Sequence, residues 1–180
     1  MIVETTPFEG LLVIKPRVFQ DERGYFFESW NEVNARGAGI LFTFAQDNQS
    51  MSAQGVLRGL HFQIPPYEQG KLVRVISGSV LDVVVDLRTN QPTFGRHFKI
   101  TLDGASKTML FIPPGFAHGF KTLEDNTIFF YKCTKVFNAE FDKVIRWNDP
   151  DLAIDWEISQ PVLSEKDRNA PLFRDFKSPF

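Results

Sequence analysis

The chain is sparing with the residues that most often mark a compartment or a cofactor. It has one cysteine, Cys133, in 180 residues. No disulfide can close within the chain, and a reducing compartment, by default the cytoplasm, is the simplest expectation. No apolar run approaches the roughly 18 residues of a membrane-spanning helix, so no membrane partner is expected. The opening "MIVETTPFEG" lacks the basic start and the apolar segment of a secretory signal. A net charge of −2 offers no excess of positive charge for nucleic acid. Histidine is also scarce, with three copies, so each position has to be weighed.

Phenylalanine, by contrast, is abundant: 19 copies against three tyrosines and three tryptophans. Many rings in a chain of this size favour a β-rich core with aromatic-lined cavities. The apolar segments are short and bounded by Gly, Pro, Asn or Asp. They run over 11–19, 24–30, 40–46, 71–77, 80–87, 96–102, 107–113 and 127–137, and each has the length and β-branched or aromatic content of a strand. "ISGSV" between two of them reads as a hairpin turn. "NEVNARGAG" (31–39) reads as one short helix, and the tail from about 148 as turns and helical pieces wrapping the barrel. The pattern predicts an all-β sandwich or barrel with short peripheral helices, in one domain over 1–180.

Alternation assigns faces. Lys71, Val73 and Val75 share one side of their strand, and Asp82, Val84 and Asp86 one side of the next. Charges among valines fit the mouth of a barrel, with a solvated face as the alternative for Asp86. Phe129, Tyr131 and Cys133 share a face expected to point inward, aiming a phenol into the barrel.

Two elements carry histidine in a suggestive setting. "PPGFAHGF" (113–120) resembles the second signature of cupins, double-stranded β-helix barrels that often hold a metal. The matching first stretch is "GVLRGLHFQ" (55–63), where Phe62 and Gln63 follow His61 and the second histidine of the metal-binding pair is missing. A metal centre needs about three or four converging ligands, and this chain offers two plausible histidines, so no metal is expected. Histidine near neutrality is then a natural general base, best with a carboxylate on its other ring nitrogen. Sequence alone does not choose that carboxylate.

The blocks "DERGYFFESWN" (21–31), "FAQDNQS" (44–50), "GVLRGLHFQ", "QGKLVRVISGSVLDVVVDLR" (69–88), "PTFG" (92–95), "IPPGFAHGF" (112–120), "YKCT" (131–134), "IRWNDP" (145–150) and "LSEKD" (163–167) occur in this order. Together they resemble the dTDP-4-dehydrorhamnose 3,5-epimerase family of the cupin superfamily, over nearly the whole chain. The resemblance implies a cupin-type jelly-roll barrel and a homodimer without metal or other cofactor. The implied substrate is dTDP-4-keto-6-deoxy-D-glucose, inverted at carbons 3 and 5 to give dTDP-4-keto-L-rhamnose. By the same resemblance His61 is the base, Asp167 its carboxylate partner, Lys71 the cation beside the enolate oxygen and Tyr131 the acid on the opposite face. Arg23 and Arg58 would hold the pyrophosphate. Glu28, Gln46 and Asn48 would contact thymine, ribose or phosphate. Asp82 and His118 would line the sugar pocket, Phe19 and Phe26 would pack near the base, and Lys166 would join the binding set.

Several plainer readings stand beside these. "SEKD" also reads as a helix cap, and His118 as a structural histidine. Arg58 and His61 have opposite parity on an ideal strand, so both face inward only if Gly59 marks a bulge. Phe137 stands where the family usually has tyrosine and Ala139 where it has proline. That departure leaves open an enzyme acting at carbon 3 only, or on another nucleotide sugar. A non-catalytic sugar-nucleotide-binding cupin and a metal-dependent cupin are the readings from other classes.

Overall fold

The structure is a computed structural model describing residues 1–180. Thirteen strands follow one another as β1 (Ile2–Thr5), β2 (Leu12–Lys15), β3 (Phe19–Asp21), β4 (Gly24–Phe26), β5 (Gln46–Ser52), β6 (Leu57–Gln63), β7 (Lys71–Ser77), β8 (Ser79–Asp86), β9 (His97–Asp103), β10 (Met109–Ile112), β11 (Phe116–Thr122), β12 (Thr127–Cys133) and β13 (Asp142–Val144). Two short helices are added, α1 (Glu32–Gly37) between β4 and β5 and α2 (Glu165–Arg168) in the tail. Six strands form one sheet in the order β1-β2-β10-β7-β12-β5, and five the other in the order β13-β6-β11-β8-β9. All their ladders are antiparallel. The remaining pair, β3 and β4, forms a separate two-stranded arm.

The sheets face each other across an apolar interior built from both, including Val73, Val75 and Phe129 on one side and Val80, Val84, Phe116 and Phe120 on the other. Phe120 and Phe129 stack across it at 4.1 Å. Two further clusters cover the outer faces. The tail lays Leu152 and Trp156 over Leu81, Val83 and Val85 of the five-stranded sheet and Leu87 just beyond β8, and α1 with Ile40 covers Ile14, Leu72, Met109 and Phe111 of the six-stranded sheet. Strand β8 is therefore buried at every position. Asp86, for which a solvated face was one reading, is fully buried and held by Arg88 and Thr93.

Three expectations need correction. "ISGSV" is not a hairpin: β7 pairs with β10 and β12, and β8 with β9 and β11, so the turn carries the chain from one sheet to the other. Gly78 sits at this corner with φ +81, and a Cβ there would come within 2.4 Å of the Thr127 hydroxyl. The apolar run 40–46 is irregular up to Ala45, because Ile40 and Phe44 serve as packing under α1; the strand is the polar one that follows. Of 24–30, only Gly24–Phe26 is a strand. The helix expected over 31–39 is present as α1, capped by the Asn31 carboxamide, which accepts from the backbone N–H groups of Val33 and Asn34. No helix is long and apolar enough to cross a membrane.

Candidate active site

At one end of the barrel the facing sheets part around a cleft of about 380 Å³, lined by side chains that include Gln46, Asn48, His61, Lys71, Tyr131 and Lys166. His61 comes from β6 of the five-stranded sheet. Lys71 and Tyr131 come from β7 and β12, neighbours in the six-stranded sheet. The imidazole thus stands on one wall, the phenol and the ammonium on the other. Lys71 Nζ lies 5.9 Å from the centre of the Tyr131 ring.

A bulge in β6 sets the imidazole. Pairing with β11 runs His118 to His61 and Phe120 to Arg58, so that residues 58–61 of β6 oppose 118–120 of β11, one residue more on β6. Gly59 lies within it at φ +131, and a Cβ there would fall 2.5 Å from Gly119 Cα, so only glycine fits. The extra residue removes the parity argument against a shared face, and the charge of Arg58 reaches Tyr131, but Arg58 is not among the side chains that line the cleft. Arg58 is exposed and donates to Ser52 Oγ at 3.1 and 3.2 Å.

His61 Nε2 meets Asp167 Oδ1 at 2.5 Å. Asp167 is buried, and its other oxygen accepts from the Ser164 hydroxyl at 2.9 Å. Ser164 Oγ also accepts from the Asp167 backbone N–H at 3.1 Å, so the helix cap and the His–Asp pair coexist in "SEKD". Burial pushes the Asp167 carboxyl up, but bonding and charge from His61, with bonds from Ser164 and the Gly59 N–H, hold it below the ordinary carboxylate range. An ionised Asp167 accepts the Nε2 proton. Nδ1 then carries the lone pair, which is the form a general base requires.

The opposite wall is electrostatically distinct. Burial lowers Lys71 from the usual lysine range, opposed by Cys133, Asp142 and Asp82. Burial raises Tyr131, with Cys133 and Asp142 adding to the rise and Arg58 opposing it, so the phenol stays protonated at neutral pH. Asp82 and His118 do not line the cleft. They form a buried pair at 2.9 Å deeper in the barrel, where His118 lies against Phe129. Asp82 Oδ1 has no partner there, and its charge is felt by Lys71. No three His, Cys, Asp or Glu side chains come together as a metal-ligand set.

Lys166 is at the cleft, ion-paired with Asp142. Phe19, Arg23, Phe26 and Glu28 are not brought there by their own chain. Phe19 and Phe26 stand on the arm at 49% and 66% exposure, and Arg23 is paired only with its neighbour Asp21. Glu28 accepts from the amides of Asn31 and Asn34 at α1, beside a separate 260 Å³ cavity. Sequence reading missed Asp142, Gln63 and Gln69, which also line the cleft. Gln63 carried a signal: it follows His61 by two on the same strand and shares its face. Asp142 carried none. Gln46, Gln63 and Gln69 tie down the rim loop after β12 through backbone groups of Phe137, Asn138 and Lys135.

A cupin-type antiparallel barrel that holds an Asp-anchored histidine and a phenol on facing walls of one cleft has the frame of an isomerase. More particularly, the chain belongs to the dTDP-4-dehydrorhamnose 3,5-epimerase family, whose sequence model matches residues 5–175. It is 49% identical over 167 residues to the dTDP-4-dehydrorhamnose 3,5-epimerase of Methanothermobacter thermautotrophicus, covering 91% of this chain and 90% of the relative. The crystal structure of the Bacillus anthracis enzyme of that name, with TDP and PPi bound, superposes with a TM-score of 0.94 at 43% identity, covering 96% of this chain and 99% of that one. A Legionella pneumophila dTDP-6-deoxy-D-glucose-3,5-epimerase in complex with dTDP-4-keto-L-rhamnose gives 0.92 at 44% identity, covering 96% and 93%.

Proposed function

We propose that this protein inverts carbons 3 and 5 of dTDP-4-keto-6-deoxy-D-glucose to give dTDP-4-keto-L-rhamnose, with its own side chains as the acid–base machinery. The observation that carries the reading is the placement of the Asp167-anchored His61 and of Tyr131 on facing walls of one cleft. Protons alpha to a ketone are weak acids. Their removal leaves an enolate whose charge gathers on the carbon-4 oxygen, and inversion needs the proton returned from the opposite face. His61 Nδ1 removes the proton, and Asp167 stabilises the imidazolium that forms. Lys71 supplies positive charge at the enolate oxygen from the same wall as Tyr131. Tyr131 gives its phenolic proton to the far face and regains one through solvent. One ketone activates both carbon 3 and carbon 5, so the same groups serve both centres when the ring shifts between steps.

Gln46, Asn48, Lys166 and the exposed ring of Phe137 offer amide donors, a cation and an apolar face for the nucleotide. The absent hydroxyl of Phe137 removes about one hydrogen bond, worth roughly 0.5–1.5 kcal/mol, which is too little to erase one of two inversions. The working unit of this reading is a homodimer, in which the exposed arm of one copy brings Phe19, Arg23 and Phe26 to the other copy's cleft. Turnover of dTDP-4-keto-6-deoxyglucose in deuterated water tests the reaction. Deuterium at both carbon 3 and carbon 5 of the product, read by NMR, is expected. Deuterium at carbon 3 alone after long incubation reduces the protein to a 3-epimerase, and none at either carbon leaves only a binding protein.

A further inference from the structure

Two loops cross from sheet to sheet at the mouth of the cleft. Residues 64–70 lead from β6 of the five-stranded sheet to β7 of the six-stranded one, and residues 134–141 lead back from β12 to β13. The crossings are bonded to each other. Thr134 N–H donates to Gly70 O at 3.0 Å, Gly70 N–H to Thr134 Oγ1 at 2.8 Å, and Ile64 N–H to Phe141 O at 3.0 Å. Gln63, two residues beyond His61 on β6 and 3% exposed, reaches both loops. Its Nε2 donates to Tyr67 O of the first at 2.9 Å and to Val136 O of the second at 3.4 Å. Its Oε1 accepts from the Asn138 N–H at 2.6 Å. Both amide hydrogens are spent on main chain, so Gln63 lines the cleft without a donor left for a substrate.

The neighbouring Phe137 N–H donates to Gln46 Oε1 at 2.8 Å, and Gln46 belongs to β5 of the six-stranded sheet. Two consecutive backbone N–H groups are thus bonded to glutamine oxygens on opposite sheets. A free crossing of this length would let the sheets drift at their open end. Fastened at its middle to both sheets, it becomes a short brace across the mouth. We propose that Gln63 is a positioning residue: through this brace it sets the gap between the wall that carries His61 and the wall that carries Tyr131, and so the share of enolate reprotonated from the far face. The proposal rests on the reading of the cleft as an epimerase site. Exchange needs His61 and a cation at the enolate oxygen, and the flexible four-carbon stem of Lys71 follows that oxygen across a wider gap. Inversion also needs the Tyr131 hydroxyl, which is carried on a rigid ring and cannot follow. A looser brace therefore costs inversion more than exchange.

Gln63→Met keeps the side-chain length and removes all three bonds. Asn138→Pro deletes the same brace bond from the loop side, outside the core, and carries the test if the methionine variant does not fold by circular dichroism. Gln63→Glu retains an acceptor for the Asn138 N–H. Each full-length protein is incubated with dTDP-4-keto-6-deoxyglucose in deuterated water, and NMR at early times gives the ratio of deuterium in recovered substrate to epimerised product. The ratio is expected to rise about three- to tenfold over wild type in Gln63→Met and in Asn138→Pro, the scale of one hydrogen bond. In Gln63→Glu it should stay within about twofold of wild type. Exchange and inversion that fall in parallel in either brace variant, leaving the ratio unchanged, overturn the proposal and leave the functional reading intact. The same holds if Gln63→Glu raises the ratio as far as Gln63→Met. A wild-type protein that gives neither exchange nor product overturns the functional reading, and the brace with it.

Discussion

His61 and Asp167 are 106 residues apart in the chain and 2.5 Å apart in the fold. The contact fixes Nε2 as the anchored nitrogen and leaves Nδ1 for chemistry. His61→Ala is therefore expected to abolish proton exchange at the sugar carbons, by a factor on the order of 10² to 10⁴. Asp167→Asn should be nearly as severe, because an amide can present its NH₂ to Nε2 and place the proton on Nδ1. Deuterium exchange into substrate, followed by mass spectrometry, checks both. Near wild-type exchange in His61→Ala would assign the base to another residue.

Tyr131→Phe should separate exchange from inversion. His61 still removes a proton and returns one on its own face, so deuterium enters the starting sugar while the epimerised product does not form. NMR of the sugar after incubation in deuterated water distinguishes the two events. Loss of exchange together with product would remove Tyr131 from the role of acid.

Lys71 should set the alkaline edge of activity. Burial lowers its pKa, so the ammonium is lost at a lower pH than an ordinary lysine with its pKa of about 10.4. Tyr131 is shifted the other way and keeps its proton through that window. The fall in kcat/KM with rising pH should thus belong to Lys71. Lys71→Arg, charged throughout, should move that limb to higher pH even where its geometry lowers the plateau. A limb that stays in place in Lys71→Arg would assign the titration elsewhere.

Acid stability should depend on Asp86. Burial pushes this carboxyl up, but Arg88 and Thr93 outweigh it and leave it below the ordinary range. A depressed folded pKa contributes stability above the unfolded value of about 3.9, and that contribution is lost as pH falls through the folded one. Asp86→Asn should cost about 3 kcal/mol at neutral pH, since Arg88 is left without its buried counter-charge. The cost should shrink below pH 4, as read by urea denaturation across pH.

Much of this architecture is legible because alternating patterns survive in β7 and β12, a near-continuous apolar run marks β8, and turn residues bound all three. Strand β5 is not legible for a functional reason. Its inward side chains, Gln46 and Asn48, form a polar cleft wall, and its outward ones, Asp47, Gln49 and Met51, meet solvent, so no apolar alternation marks it. The bulge at Gly59 hides the inward aim of His61 in the same way. Local pattern cannot pair His61 with Asp167, because the contact is made only when the tail returns to β6; the family's ordered blocks supplied that partner. The turn at Gly78 is not legible in sequence, because a glycine corner between two sheets and a hairpin within one sheet share the same residues.

The arm gives the most direct test of the assembly. Phe19 and Phe26 face each other at 6.5 Å on a two-stranded hairpin that pairs with neither sheet. Arg23 at its tip has a side chain 86% exposed. If these residues complete the cleft of a second copy, Arg23→Ala and His61→Ala damage different halves of each shared site. Both pure variants should be weak, the first through KM and the second through kcat. When the two are mixed, unfolded and refolded together, hybrid dimers form in which one cleft has both an intact His61 and an intact Arg23 from the other copy. Activity at low substrate should then rise above that of either variant, toward about a quarter of wild type if exchange is random, since half of all dimers are hybrids with one good cleft in two. Light scattering on the same samples reports the dimer. A mixture no more active than its parts, or a monomer of full activity, would place Arg23 outside the site altogether.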